Sequence, residues 1–189
     1  MSSVGRMPEI PAEKLTEEQK LAVAEMVSGP RGRISGPFIP LLRSPETLTR
    51  VQKLGEHLRF KSTLPSRLSE YLILLVARTW TQGTEWHAHH ALALKGGLKP
   101  EIADAIAEGR RPENLAADEA ALYDLYDELQ RNRSVSDATY ARLTSHFGEQ
   151  GVIDAVAILG YYTLLAMVLN TTRVPVPENA TARLKPFPH

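Results

Sequence analysis

Seven consecutive residues without a charge or a proline, YLILLVA at 71–77, followed closely by Gln82, Glu85, His87, His89 and His90, constrain this chain more than any other stretch. Flanked on both sides by helix-compatible residues, the apolar run reads as a buried helix. Gln82-Gly83 breaks it and Thr84 can cap the next one. Two helices joined by so short a turn pack as an antiparallel pair, which folds the polar cluster back over the apolar run. Half of the six histidines in the chain then fall within four residues of one helix.

Helical geometry decides which of these groups can cooperate. Glu85 and His89 are four apart and share a face, whereas His87 points roughly 160–200° away from both. On the apolar helix Glu70 is the one acid. Burying its carboxylate unpaired would be costly, so it needs a partner from across the turn, and His89 is the natural candidate. His87 and His90 read as surface positions on the opposite face. Trp86 fits a core or interface anchor better than a substrate platform.

The rest of the chain reads as helices with clear punctuation. Thr16 and Gln19 make a capping-box pattern ahead of a helix to about residue 28. The segment 29–40, GPRGRISGPFIP, holds three glycines and three prolines and is expected to be an ordered loop without regular helix, anchored by Ile34, Phe38 and Ile39. Ser44 as cap and Pro45 at the first helical position open a helix over 45–59, with Leu48, Val51, Leu54 and Leu58 on its inner face. Gly96-Gly97 closes the helix of the polar cluster, and Lys99-Pro100-Glu101 opens a short one. A further helix starts near Leu115 with Asp118 and Glu119 in its first turns. Helices over 135–147 and 151–169 follow, separated by a break at 148–151. With no alternating strand pattern, the fold class is all-α with about eight helices. We expect an arm at 1–12, one helical domain at 13–177 and an extended, proline-punctuated tail at 178–189.

Composition narrows the chemistry. No cysteine is present, which excludes disulfides, thiolate metal ligands and thiol peroxidase activity in this chain. With 22 basic and 22 acidic residues, no bulk field draws the protein to nucleic acid or an anionic membrane, and a small-molecule substrate is the expected partner. The N-terminal residues MSSVGRMPEIPAEKL lack the apolar centre of a secretory signal, so a cytoplasmic location is expected. The run 152–169 is about long enough to span a membrane but carries Asp154, Tyr161 and Tyr162, and reads as a core helix. Being apolar nearly all round, it presents more surface than one protomer can easily cover, which predicts a homo-oligomer.

The pattern Glu70, then Gln82-x-x-Glu85-x-x-x-His89, then an apolar helix ending at Gly97-Leu98, resembles the carboxymuconolactone decarboxylase and alkylhydroperoxidase D-like superfamily. The likeness is specific over residues 66–98 and extends at family level over 36–177. In the redox-active branch a glutamate precedes the first cysteine of a Cys-x-x-Cys pair by twelve residues, and a histidine follows the second by four. Glu70 and His89 fall on those positions, while Gln82 and Glu85 occupy those of the cysteines. The resemblance implies an alkylhydroperoxidase D-like helical fold assembled as a trimer, hexamer or dimer, with Glu70 and His89 in one pocket. It also implies a lyase or isomerase using acid–base chemistry on a carboxylated unsaturated lactone. There His89 would move the proton near neutral pH, Glu70 would orient it and Glu85 would tune it. Arg78 would hold the substrate carboxylate, with Gln82 and Trp86 beside it.

Two other readings stay open at this level. A buried Glu–His pair is often only a satisfied core contact, which would leave an oligomeric binding or scaffold protein of the same fold. Glu85, His87, His89 and His90 are metal-ligand types, but only the 85 and 89 pair converges on a helix, so neither a metal nor an organic cofactor is expected.

Overall fold

The computed structural model describes residues 5–186; the outermost parts of the expected arm and tail, 1–4 and 187–189, lie outside the described residues. Among the described residues there are eight α-helices and no strand. A 3-10 turn at Ala12–Lys14 precedes α1 (Glu17–Ser28), whose start is fixed reciprocally: the Thr16 hydroxyl accepts from the Gln19 backbone and the Gln19 side chain accepts from the Thr16 backbone.

The loop 29–40 differs from expectation at its end, where Phe38–Leu41 forms a one-turn helix, α2. Pro40 is tolerated because the amide it lacks belongs to the first turn, where it would have no helical acceptor. In α3 (Pro45–Phe60) the Ser44 hydroxyl bonds the Thr47 hydroxyl at 2.7 Å rather than capping the backbone. Leu54, expected inside, is 45% exposed, and the inward position is taken by Gly55.

The centre of the fold is the pair α4 (Ser66–Thr79) and α5 (Gly83–Lys95). Every residue of α4 from 68 to 78 is buried, because α5, α6 (Pro100–Ala107), α7 (Ala117–Asn132) and α8 (Asp137–Thr172) all pack on it. An apolar run with no hydrophilic face can be stable only when covered on all sides. The cap of α5 is one residue before its start rather than Thr84. Thr81 takes φ 45°, and the Gln82 side chain accepts from the Thr84 amide at 2.7 Å, so Gln82 is the cap.

Three acids, at two places, serve as clamps. Asp118 and Glu119, at the start of α7, both receive the guanidinium of Arg67 at the start of α4. Asp154 on α8 accepts from the Thr63 amide at 2.9 Å and from the Ser62 and Thr63 hydroxyls at 3.0 Å. Burial opposes that charge, but the hydrogen bonds from Thr63 and Ser62 outweigh it and hold the carboxyl below its ordinary range.

The break expected between helices over 135–147 and 151–169 falls at Gly148, where a kink joins the two helical stretches that make up α8. Only Gly148 leaves helical geometry inside α8, at φ 64° and ψ 176°, a conformation open to glycine at little cost. By length and composition α8 could cross a membrane, yet 56% of its most apolar window is buried inside the protein, where it forms one wall of the core.

Candidate active site

Glu70 stands on the buried face of α4 and His89 two turns into α5, and the hairpin sets them directly against each other. His89 Nδ1 lies 2.6 Å from Glu70 Oε2, and on the other side of the ring Nε2 lies 3.4 Å from Glu85 Oε2, one turn earlier on α5. All three residues are buried. The edge of the His89 ring meets Tyr162 of α8 at 5.0 Å between centroids and 86° between planes, and Tyr162 meets Tyr161 at 5.2 Å in the same manner.

Burial alone would drive the His89 proton off. The hydrogen bonds and charges of Glu70 and Glu85 overcome it and push the imidazole up to about 9. At neutral pH the ring therefore keeps its proton, hydrogen-bonded through Nδ1 to Glu70 and in a longer ion pair through Nε2 with Glu85, rather than being the half-titrated base expected from an ordinary histidine. Tyr162, wholly enclosed, is raised well above its usual range by burial and then by the Glu85 charge, so it remains a neutral phenol.

A cavity of 520 Å³ opens on this cluster. Glu85 and His89 line it, together with Tyr161, Tyr162 and three arginines, Arg31, Arg33 and Arg59, whereas Glu70 stands behind the imidazole. The arrangement is layered: a carboxylate that faces the cavity, an imidazolium that can exchange a proton with it, and a second carboxylate that keeps the ring charged and oriented. Such a set can deliver or remove one proton at the cavity wall without free water entering the ion pair.

The other residues singled out in the sequence lie elsewhere. Arg78 points away from the cavity: its Nη1 donates to the carbonyls of Lys185 at 2.7 Å and Ala107 at 3.2 Å, tying the C-terminal segment to the hairpin. Gln82 donates to Asn170 Oδ1 at 2.8 Å and so joins the start of α5 to the end of α8. Trp86 is buried against His90, 5.6 Å between rings, and does not line the cavity. His87 reverses its expected placement. It lines the cavity, with Nδ1 buried, because the cavity reaches the first turns of α5, and Pro177 and Asn179 of the C-terminal segment line it as well. Among the described residues no group of three histidine or acidic side chains is arranged to hold a metal ion.

The arginines of the cavity were hidden in the sequence. Arg31 and Arg33 sit in GPRGRISGP, a stretch that reads as a loop, and a pair of cations inside an ordered glycine- and proline-rich loop was the available signal. Arg59 lies at the end of α3, where its charge reads as a helix-end preference.

This architecture has a counterpart among solved structures. The crystal structure of an alkylhydroperoxidase AhpD core, an uncharacterized peroxidase-related protein from Ralstonia eutropha JMP134, matches with a TM-score of 0.74 over 94% of this chain and 95% of that one, at 18% sequence identity. The protein has the alkylhydroperoxidase D-like fold, in a cysteine-free form. No family model matches the sequence, and no curated protein matches it.

Proposed function

We propose that the protein is a carboxymuconolactone decarboxylase-like enzyme, from the branch of the superfamily without the redox cysteines, that moves a proton on a small carboxylated unsaturated lactone or related acid without metal or organic cofactor. The observation that supports it most directly is the His89 imidazolium held between Glu70 and Glu85 at the wall of an arginine-lined cavity. In a decarboxylation, the bond from the ring carbon to the carboxylate breaks, carbon dioxide departs, and the electron pair remains as a dienolate. Glu85, recharged with a proton from His89 Nε2, protonates that carbon, and solvent returns the proton to the pair. Glu70 touches no substrate; it holds the imidazole at the right tilt and keeps it charged.

Incubation with a panel of carboxylated unsaturated lactones in D2O tests this reading. Carbon dioxide release with one deuterium retained per product molecule is the expected result. Absence of both release and exchange across the panel would leave a binding protein of the same fold as the better account.

Assembly is part of the same proposal. Ile153, Val156, Gly160 and Met167 are exposed along one outward face of α8, with Leu164 half-buried among them. Such a stripe suits a second copy of the chain, the small residue at Gly160 allowing close helix approach. Sedimentation equilibrium at micromolar concentration is expected to show a homo-oligomer, shifted toward monomer by Val156→Glu. A wild-type species of 20.9 kDa would refute it.

A further inference from the structure

Among the described residues, five buried side-chain atoms of residues that line the cavity have no hydrogen-bond partner, two of them, Thr84 Oγ1 and His87 Nδ1, on α5. Nε and Nη2 of Arg31 are buried without a hydrogen-bond partner, and so is the hydroxyl of Tyr161. Tyr161 is 3% exposed, so its oxygen has no compensating contact with bulk water. Buried polar atoms in native proteins are almost always satisfied, and the three on Arg31 and Tyr161, residues that both line the cavity, call for an explanation. The Arg31 guanidinium is held over the Phe38 ring at 4.7 Å, which fixes its plane while leaving one edge, formed by Nε and Nη2, unengaged.

Two of these atoms, Arg31 Nη2 and the Tyr161 hydroxyl, stand against the same place on α3, Gly55. A Cβ added at Gly55 would stand 2.0 Å from the Tyr161 hydroxyl oxygen and 2.6 Å from Arg31 Nη2. Any side chain there would displace both groups, so the glycine is what lets them meet. Burial pushes the Tyr161 phenol up to about 12, which keeps it a proton donor throughout the neutral range. Arg33 and Arg59 line the same cavity and add positive charge, while Glu85 and His89 occupy another part of its wall.

We propose that Arg31 and Tyr161 form the carboxylate-binding subsite of this cavity. Nε and Nη2 grip the two oxygens of one carboxylate side by side, and the Tyr161 hydroxyl donates a third bond to it. The ligand's carbon skeleton then extends toward Glu85 and His89. The assignment deepens the acid–base reading of the same cavity and rests on it for the direction in which the ligand points. It gives Arg31 the role that sequence reasoning gave to Arg78.

Calorimetric titration with fumarate, and separately with inorganic phosphate, tests the subsite on the intact protein. Wild type is expected to bind fumarate saturably and more tightly than phosphate. Arg31→Gln is expected to weaken fumarate about tenfold or more, and Tyr161→Phe about threefold to tenfold, against an unchanged Arg50→Gln control. Tyr161→Phe removes an oxygen that has no partner in the unliganded protein, so it should also raise the thermal midpoint by about 2–4 °C. Lower affinity with higher stability is the signature of a ligand-binding group, and a purely structural hydroxyl would give the reverse. Equal fumarate affinity in wild type, Arg31→Gln and Tyr161→Phe would overturn the subsite, as would the absence of saturable fumarate binding. Tighter binding of phosphate than fumarate, lost in Arg31→Gln, would overturn the carboxylate assignment in favour of phosphate esters. Fumarate binding with these losses, but no deuterium exchange in any lactone, would uphold the subsite and remove the acid–base reading.

Discussion

Exchanging His89 for glutamine should lower turnover of a carboxylated lactone by about a thousandfold, within the range of roughly 10²–10⁴ that positioned acid–base groups supply. Among the described residues the ring is the one cation paired with both carboxylates, at 2.6 Å and 3.4 Å, and glutamine carries no titratable proton to pass between them. Glu85→Gln should cost nearly as much, since it removes the carboxylate that faces the cavity. Glu70→Gln should cost less, about tenfold to a hundredfold, because it alters only the charge and tilt of the imidazole. Steady-state kinetics on the three variants would check the order, and a His89→Gln enzyme within threefold of wild type would end the proposal. The substitution also leaves Glu70 and Glu85 buried with no cation between them, and breaking such an arrangement costs about 3–5 kcal/mol. Kinetics should therefore be read beside urea unfolding curves, so that lost activity is not mistaken for lost fold.

Stability should fall between about pH 6.5 and pH 9 by about 3 kcal/mol, because of the same imidazole. The sign follows from linkage. In the folded protein the His89 proton is held up to about 9, against an ordinary value of 6.5 once the chain unfolds. Below pH 6.5 both states carry the proton and the stabilisation is complete. As the pH rises the unfolded state releases it first, and the advantage is gone once the folded ring also loses it. Other groups act outside this window. Asp154, held low in the folded state, gives stability that is lost in acid, while buried Tyr161 weakens the fold only when an unfolded tyrosine would ionise above about pH 10. Urea unfolding at pH 6 and at pH 9.5 measures the difference, and His89→Gln should flatten it. An unchanged slope in that variant would show that some other group carries the effect.

Local chemistry made much of the fold readable. The capping box at Thr16 and Gln19, Pro45 at the head of α3, and Gly96-Gly97 after α5 act within a few residues, so their signals survive without knowledge of the rest of the chain. The meeting of Glu70 with His89 is legible for a related reason. One acid inside a run of apolar residues must be paired, and a short turn leaves few places for the partner to be. The errors cluster where a local preference was overruled. Thr84 had the right chemistry for a cap, but the chain turns at Thr81, with its positive φ, and α5 begins at Gly83, so the Gln82 side chain takes that role. Leu54 fitted the helical stripe, yet Gly55 is the inward residue because Tyr161 and Arg31 press against α3 from outside it.

By itself, then, the sequence determined the helical class, most helix ends, the absence of thiol chemistry and the neighbourhood of one acid and one histidine, since each depends on periodicity, caps, composition or short-range geometry. Tertiary structure alone decided which side of α5 borders the cavity and which cations face it. Arg78 was nearest in sequence, but its guanidinium is taken by the carbonyls of Ala107 and Lys185. Arg31, far away in a loop, reaches the cavity with its guanidinium over the Phe38 ring, and Pro177 and Asn179 return from the C-terminal segment to line the same cavity as His87. Contacts between segments so distant along the chain are set by how the buried α4 is covered on all sides, and no local pattern encodes that arrangement.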